Sequence, residues 1–269
     1  MKKNDRRINV CGKYFYVKTR NSRIYLTNNL KEIIETHPHI IMYLVMLRIE
    51  PEVKSFLKTN SSWIKRASKS KIRSLMETIL MSNKPSIYLK RLKDICVIES
   101  ILPELYKCCV VDQNKEYHKY NVFEHCIYTA DNVDKDLLLR WAALLHDVGK
   151  HETMKIREGR QTFYKHDIAG AITARKILNR FGYKKRFTER VSKLVRFHMY
   201  YYKEEWSDKA IRKFIDNMGI NNKNIHKLED LPVFKLRAAD RIGGGMKHTA
   251  VTEIQKKFED RIKEVYFNS

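Results

Sequence analysis

A chain of 269 residues with 43% hydrophobic and 32% charged side chains has enough apolar surface to offset the entropy of ordering, and its nine Gly and five Pro exclude collagen-like and linker-dominated chains. The 54 Lys and Arg exceed the 31 Asp and Glu by 23, a bias that argues for a polyanionic partner.

In chain order, the charged start Met1 to Arg7 is followed by no apolar segment, so no signal peptide is expected. The longest apolar run, Ile40 to Leu47, falls far short of the roughly 20 residues that span a bilayer. A soluble cytoplasmic protein is expected, with no membrane partner. Lys13 to Leu26 alternates aromatic or aliphatic with polar residues (Tyr14, Tyr16, Ile24, Leu26) about Asn21 and Ser22, which predicts a β-hairpin. Residues 1–110 carry 22 basic and 9 acidic side chains, and between Lys54 and Lys93 there are 11 Lys or Arg against the single carboxylate of Glu77. That footprint suits phosphate. Ile72, Leu75, Met76, Ile79 and Leu80 fall on one helical stripe, while Lys65, Lys69 and Arg73 recur every four residues off it, predicting one packed and one cationic face.

Further helices are predicted over Ser86–Cys96, Val122–Asn132, Lys135–Val148, Ile168–Arg180, Thr188–Tyr202, Ser207–Asn217, Val233–Asp240 and Thr249–Phe267. The fold class is therefore mainly α. Three regions are expected: an N-terminal hairpin region at 1–30, a smaller basic helical region at 31–110 and a helical bundle at 111–269. Five cysteines (Cys11, Cys96, Cys108, Cys109, Cys126) with no Cys-x-x-Cys pair suit neither a disulfide framework nor a zinc ribbon.

Four of the ten histidines stand on predicted helices or their edges in the second half: His125, His146, His166 and His198. In Leu144-Leu145-His146-Asp147-Val148-Gly149-Lys150 an apolar helix ends in adjacent imidazole and carboxylate, and Gly149 reads as a left-handed C-cap. A buried helix seldom ends in such a pair unless it is partnered or bound, because an unpartnered buried carboxylate is costly. With His125 upstream and Asp240 downstream, three helices can deliver His125, His146, Asp147 and Asp240 to one point. Nitrogen with carboxylate oxygen suits Mn, Fe, Ni, Co or Zn, or Mg where oxygen and water dominate. His166 and His198 extend the set to a second ion, with Asp147 placed to bridge. Each histidine alone is equally well read as a hydrogen-bonded core or surface residue.

His125, the His146-Asp147 pair followed by Val148-Gly149-Lys150, and the distal Asp240 resemble the H…HD…D pattern of the HD superfamily of metal-dependent phosphohydrolases. Several further segments are similar to the C-terminal body of bacterial CCA-adding tRNA nucleotidyltransferases. They are Ile101-Leu102-Pro103-Glu104-Leu105, Asn121 to His125, Ala142 to Lys150, Gly159 to Gly170 and Val195 to His198, and the resemblance runs from about Ile40 to Gly245. It reaches Trp63-Ile64-Lys65-Arg66 and the helix after them, which in that family belongs to the tRNA-contacting body. The polymerase head of that family uses a Gly-Gly-x-x-Arg-Asp loop and an Asp-x-Asp pair, and the first hundred residues contain neither; Asp134-Lys-Asp136 lies just before the HD helix, and Gly243 to Gly245 lacks the Arg-Asp continuation. Nucleotide addition by this chain is not expected.

The resemblance implies a helical HD-domain bundle and a phosphohydrolase holding one or two divalent ions through His125, His146, Asp147, Asp240, His166 and His198. Asp147 and Lys150 would be the catalytic residues, Lys150 pairing with a phosphoryl oxygen. The related tRNA enzymes carry 2′,3′-cyclic phosphodiesterase, 2′-nucleotidase and phosphatase activities in this region, which implies RNA or tRNA ends as substrate, with Lys65, Arg66, Lys69 and Arg73 binding RNA. Other HD proteins hydrolyse small nucleotides or cyclic dinucleotides. A noncatalytic RNA-binding module that kept the body of a tRNA enzyme is the alternative from a different class.

Overall fold

The computed structural model of the chain describes residues 5–112, 119–200, 206–245 and 252–268. The chain forms two compact units, one of residues 1–107 with Arg180–Tyr183, the other of residues 108–179 and 184–269. Helices dominate both, as the sequence periodicity predicts.

The first unit opens with an antiparallel sheet of three strands in the order β1 (Asp5–Val10), β2 (Lys13–Arg20), β3 (Arg23–Ile24). The expected hairpin is present: Asn21 and Ser22 both take positive φ, so the two-residue turn has the twist a hairpin needs. The strand preceding it was not expected. β1 pairs with β2 from Asp5 opposite Lys18 to Val10 opposite Lys13, through a turn at Cys11 and Gly12. Its sequence, DRRINV, hides the alternation because only Ile8 and Val10 turn inward. Seven helices follow: α1 (Asn28–Thr36), α2 (Ile40–Leu44), α3 (Pro51–Thr59), α4 (Lys69–Leu80), α5 (Pro85–Asp94), α6 (Val97–Ile101) and α7 (Pro103–Lys107). α4 buries Leu75, Met76, Ile79 and Leu80, the predicted stripe; Ile72 is half-buried. A 3-10 segment, Ser61–Arg66, lies between α3 and α4.

The second unit is organised around α9 (Leu137–Leu145). Its sequence, LLLRWAALL, is apolar on nearly every side, so it has no solvent face and must be surrounded. α8 (Val122–Asp131), α12 (Lys185–Phe197) and α14 (Pro232–Gly243) pack against it, and Trp141 is fully buried. Even Arg140 is inside, donating to the carbonyls of Ala130 at 2.6 Å and Asp134 at 3.1 Å. Asp136 starts α9 by accepting from the Leu139 N–H at 2.9 Å, and Asn121 starts α8 by accepting from Glu124 N–H at 2.8 Å. The unit is completed by α10 (Lys150–Thr153), a two-stranded ribbon of β4 (Lys155–Arg157) and β5 (Arg160–Thr162), α11 (His166–Arg180), α13 (Asp208–Met218) and α15 (Glu253–Phe267). The Thr188–Tyr202 helix is α12, which begins earlier at Lys185 and ends at Phe197; residues 201–202 lie outside the described residues, as do 249–251 of the last helix.

One local reading of the sequence is corrected. Gly149 has φ −73° and is no left-handed cap. It is required because a Cβ there would lie 2.2 Å from the His166 carbonyl oxygen and 2.4 Å from the Gly170 nitrogen. The glycine lets the His146–Lys150 turn touch the first turn of α11.

Candidate metal centre

Five helical elements of the second unit deliver side chains to one buried cluster. α8 supplies His125, α9 ends at His146 as its C-cap with Asp147 next, α11 begins with His166, α12 ends at His198, and α14 supplies Asp240. All six are buried, from 0% exposure at His146 to 9% at His166. Two of the histidines sit at helix C-termini, where the helix dipole favours positive charge.

Nδ1 of His146 lies 2.8 Å from the Ala143 carbonyl, Nδ1 of His166 lies 2.8 Å from Phe163, and Nδ1 of His198 lies 2.7 Å from Val195. A carbonyl only accepts, so each Nδ1 carries a proton and donates, which leaves each Nε2 as the ring atom aimed into the cluster. Those Nε2 atoms converge on carboxylates. Nε2 of His125 is 2.9 Å from Nε2 of His146, 2.9 Å from Asp240 Oδ1 and 3.3 Å from Asp147 Oδ2. Nε2 of His146 is 3.3 Å from Asp147 Oδ2 and 3.5 Å from Asp240 Oδ1. On the other side of the same carboxylate, Asp147 Oδ1 is 3.3 Å from His166 Nε2 and 3.5 Å from His198 Nε2, which are 3.3 Å from each other. Asp147 thus belongs to two triads, His125–His146–Asp147 and Asp147–His166–His198.

The electrostatics distinguish the two halves. Burial disfavours a charged His146, but Asp147 and Asp240 overcome it and push its pKa up to about 10. At His198 burial prevails over the Asp147 contact, aided by His146 and His166, and its pKa falls to about 4. Burial would raise both carboxylates; Lys150 and His146 hold Asp147, and Arg237 with the histidines holds Asp240, well below the usual range. In the second triad the Nε2 atoms of His166 and His198 face Asp147 Oδ1 and each other, with each Nδ1 committed to a backbone carbonyl. The donor set fits a divalent ion, imidazole nitrogen and carboxylate oxygen together.

Two cations touch the cluster. Lys150 Nζ is 2.6 Å from Asp147 Oδ2 and is 8% exposed. Arg237, which sequence reading did not single out, donates to Asp240 Oδ2 from one helical turn before it and leaves Oδ1 toward His125. Its signal was the i, i+3 spacing of Arg237 and Asp240 on one helix.

The residues singled out for RNA lie in the first unit, and the structure redistributes them. Lys65 and Arg66 end the 3-10 segment, while Lys69 starts α4 after Ser68, so Lys65, Lys69 and Arg73 do not share a continuous helical row. Lys65 and Lys69 are exposed on a concavity of about 220 Å³ with Ile64, Ile72, Ile101 and Phe181 at its apolar floor. Arg66 lies over the Trp63 ring at 4.9 Å. Arg73 is committed internally: it donates to the Gly182 carbonyl at 2.7 Å and lies over Tyr183.

Residues 116–242 match the HD domain family, and residues 47–109 match the family described as the probable RNA and SrmB-binding site of polymerase A. The chain is similar to an A-adding tRNA nucleotidyltransferase of Deinococcus radiodurans, 33% identical over 136 residues that cover 48% of this chain and 31% of the relative. It is similar to a CC-adding tRNA nucleotidyltransferase of Thermus thermophilus, 28% identical over 205 residues that cover 73% of this chain and 44% of the relative. A bifunctional uridylyltransferase/uridylyl-removing enzyme of Ruegeria pomeroyi is 30% identical over 176 residues, 56% of this chain and 18% of the relative. The chain spans less than half the length of each of these relatives.

Proposed function

We propose that this chain is a metal-dependent phosphohydrolase acting on phosphorylated nucleotides, with RNA or tRNA ends as substrate, because residues 116–242 match the HD domain family and carry a buried His/Asp cluster. The observation that carries the reading is the convergence of four imidazole Nε2 atoms and carboxylate oxygens on both sides of Asp147, a donor set that suits a divalent cation.

His125, His146, Asp147 and Asp240 would hold the principal ion, and His166 and His198, with Asp147 bridging, a second. A divalent ion bound there supplies an activated water and neutralises charge on phosphoryl oxygens. Arg237 fixes one oxygen of Asp240 and so orients the other into the cluster. Lys150, held against Asp147, presents its ammonium to a phosphoryl oxygen as a point charge. The preference for RNA ends is supported by the net charge of +23, by the match of residues 47–109 to an RNA-binding family, and by the concavity that Lys65 and Lys69 line. Arg66, stacked over the Trp63 ring, would extend the RNA-contacting surface, and Arg73 would support it through its bond to the Gly182 carbonyl.

The test is a hydrolysis screen of protein stripped with chelator and reloaded with Mn, Ni, Co or Mg. Bis-p-nitrophenyl phosphate serves as a general probe and 2′,3′-cyclic, 2′- and 3′-phosphorylated nucleotides and tRNA ends as candidates. Metal-dependent turnover, abolished in Asp147→Ala, is expected. Turnover unchanged in a folded Asp147→Ala protein would overturn the assignment, and RNA binding with neither metal nor turnover would leave a noncatalytic binding module.

A further inference from the structure

A second concavity of the first unit is lined by residues apart from the metal centre and from the Lys65–Lys69 surface. It encloses about 530 Å³, within the range of small-ligand sites, and its apolar wall includes Leu47 and Ile95. Four cations line it, each from a different segment: Arg23 of β3, Arg48 of the loop before α3, Lys54 of α3 and Arg91 of α5. Such a concentration costs repulsion unless something anionic offsets it.

The backbone holds these segments together. Ile24 N–H donates to the Arg48 carbonyl at 2.9 Å and Glu50 N–H to the Ile24 carbonyl at 2.8 Å, tying β3 to the loop. Arg91 donates one guanidinium nitrogen to the Val45 carbonyl at 2.9 Å, which joins α5 to the other end of that loop. The rim is therefore set by hydrogen bonds to main-chain carbonyls rather than by its own ion pairs. Those ion pairs are weak and open to exchange: Lys54 meets Asp94 at 3.0 Å with both side chains about half exposed, and Arg23 meets Glu50 only at 3.9 Å. Among the described residues no carboxylate pairs with Arg48.

From this geometry we infer a second ligand site, one for a nucleoside phosphate. Its planar base would lie on the apolar wall and its phosphate would accept from the arginines, whose fork geometry matches phosphate oxygens. The phosphate has two sources, a free nucleotide or the 5′-terminal residue of an RNA. The inference holds whether or not the metal centre is hydrolytic, since it uses residues of the first unit alone.

The experiment is calorimetric titration of the full chain in EDTA, so that no hydrolysis intervenes, with 5′-AMP, adenosine and a 5′-phosphorylated RNA tetranucleotide as probes. Saturable binding of a phosphorylated probe, much weaker binding of adenosine, and a loss of about tenfold or more in Arg48→Gln and in Arg48→Gln/Lys54→Gln are expected. Both side chains are exposed, so an unchanged melting temperature is expected to accompany that loss. Binding of 5′-AMP identifies a free nucleotide as sufficient; binding of the RNA probe alone identifies the RNA terminus. The inference is overturned if neither phosphorylated probe saturates, or if the variants bind both as the wild type does.

Discussion

Gly243 stands on α14 three residues after Asp240, and it faces Thr129, which stands on α8 four residues after His125. The contact therefore lies one turn from two proposed ligands and sets the spacing between the helices that carry them. A Cβ at position 243 would lie 2.2 Å from Thr129 Oγ1, 2.7 Å from its nitrogen and 2.9 Å from its Cα. The hydroxyl can rotate away, at the loss of its 2.9 Å hydrogen bond to the His125 carbonyl. The backbone atoms cannot. Lifting them to the 3.4 Å of ordinary van der Waals contact parts the helices by about 0.5–0.7 Å, more than the roughly 0.2 Å tolerance of metal–ligand distances. Gly243→Ala is therefore expected to cost about 1–3 kcal/mol of stability through overpacking, which leaves the protein folded, and to weaken metal binding by roughly 10–100-fold. Thermal unfolding of the stripped protein reads the first effect and chelator competition the second. A Gly243→Ala protein with wild-type melting and wild-type metal affinity would refute the reasoning.

Three further outcomes are expected. His166→Ala or His198→Ala lowers metal content from about two ions per chain to about one, because only the second triad loses a ligand, and unchanged stoichiometry would return both residues to packing or phosphate contact. Lys65→Gln with Lys69→Gln flattens the dependence of log affinity for single-stranded RNA on log salt by about 1.4, at roughly 0.7 per contact, with small-substrate hydrolysis unaffected; Arg73→Gln instead lowers stability, since its guanidinium holds the Gly182 carbonyl. His39, buried in the first unit, has its pKa lowered to about 4 by burial, with Lys71, His37 and Lys13 adding to it. It is neutral when folded and takes up a proton on unfolding, so stability is lost as pH falls from about 6.5 toward 4. Unfolding midpoints measured across that range should fall less steeply in His39→Leu, and equal slopes would exclude the mechanism.

The cluster was legible in the sequence because each member is a chemically specific residue on a segment of clear helical period, and because the apolar run of α9 announces a central helix whose end must lie inside. What failed was whatever depended on a distant neighbour. Gly149 looks like a helix cap from local sequence, yet its need for no side chain comes from His166 and Gly170, far along the chain. Arg73 fits a cationic row by spacing, but Ser68 starts a new helix and Gly182 captures the guanidinium. Arg237 was passed over despite its i, i+3 spacing from Asp240, because an arginine in an amphipathic helix ordinarily faces water, and here Asp240 draws it inward.

Asp147 belongs to both triads, so metal content with and without its carboxylate charge tests the central claim most directly. Chelator-stripped protein is reloaded with Mn, Ni, Co or Mg, dialysed and assayed for bound ions by elemental analysis, beside an Asp147→Asn variant of matching helical content. Wild-type protein is predicted to retain about two ions per chain and the variant to lose them, because the amide keeps the shape of the carboxylate without its charge. A wild-type protein that retains no ion, or a variant that retains as many, would contradict the assignment of this cluster as a metal centre.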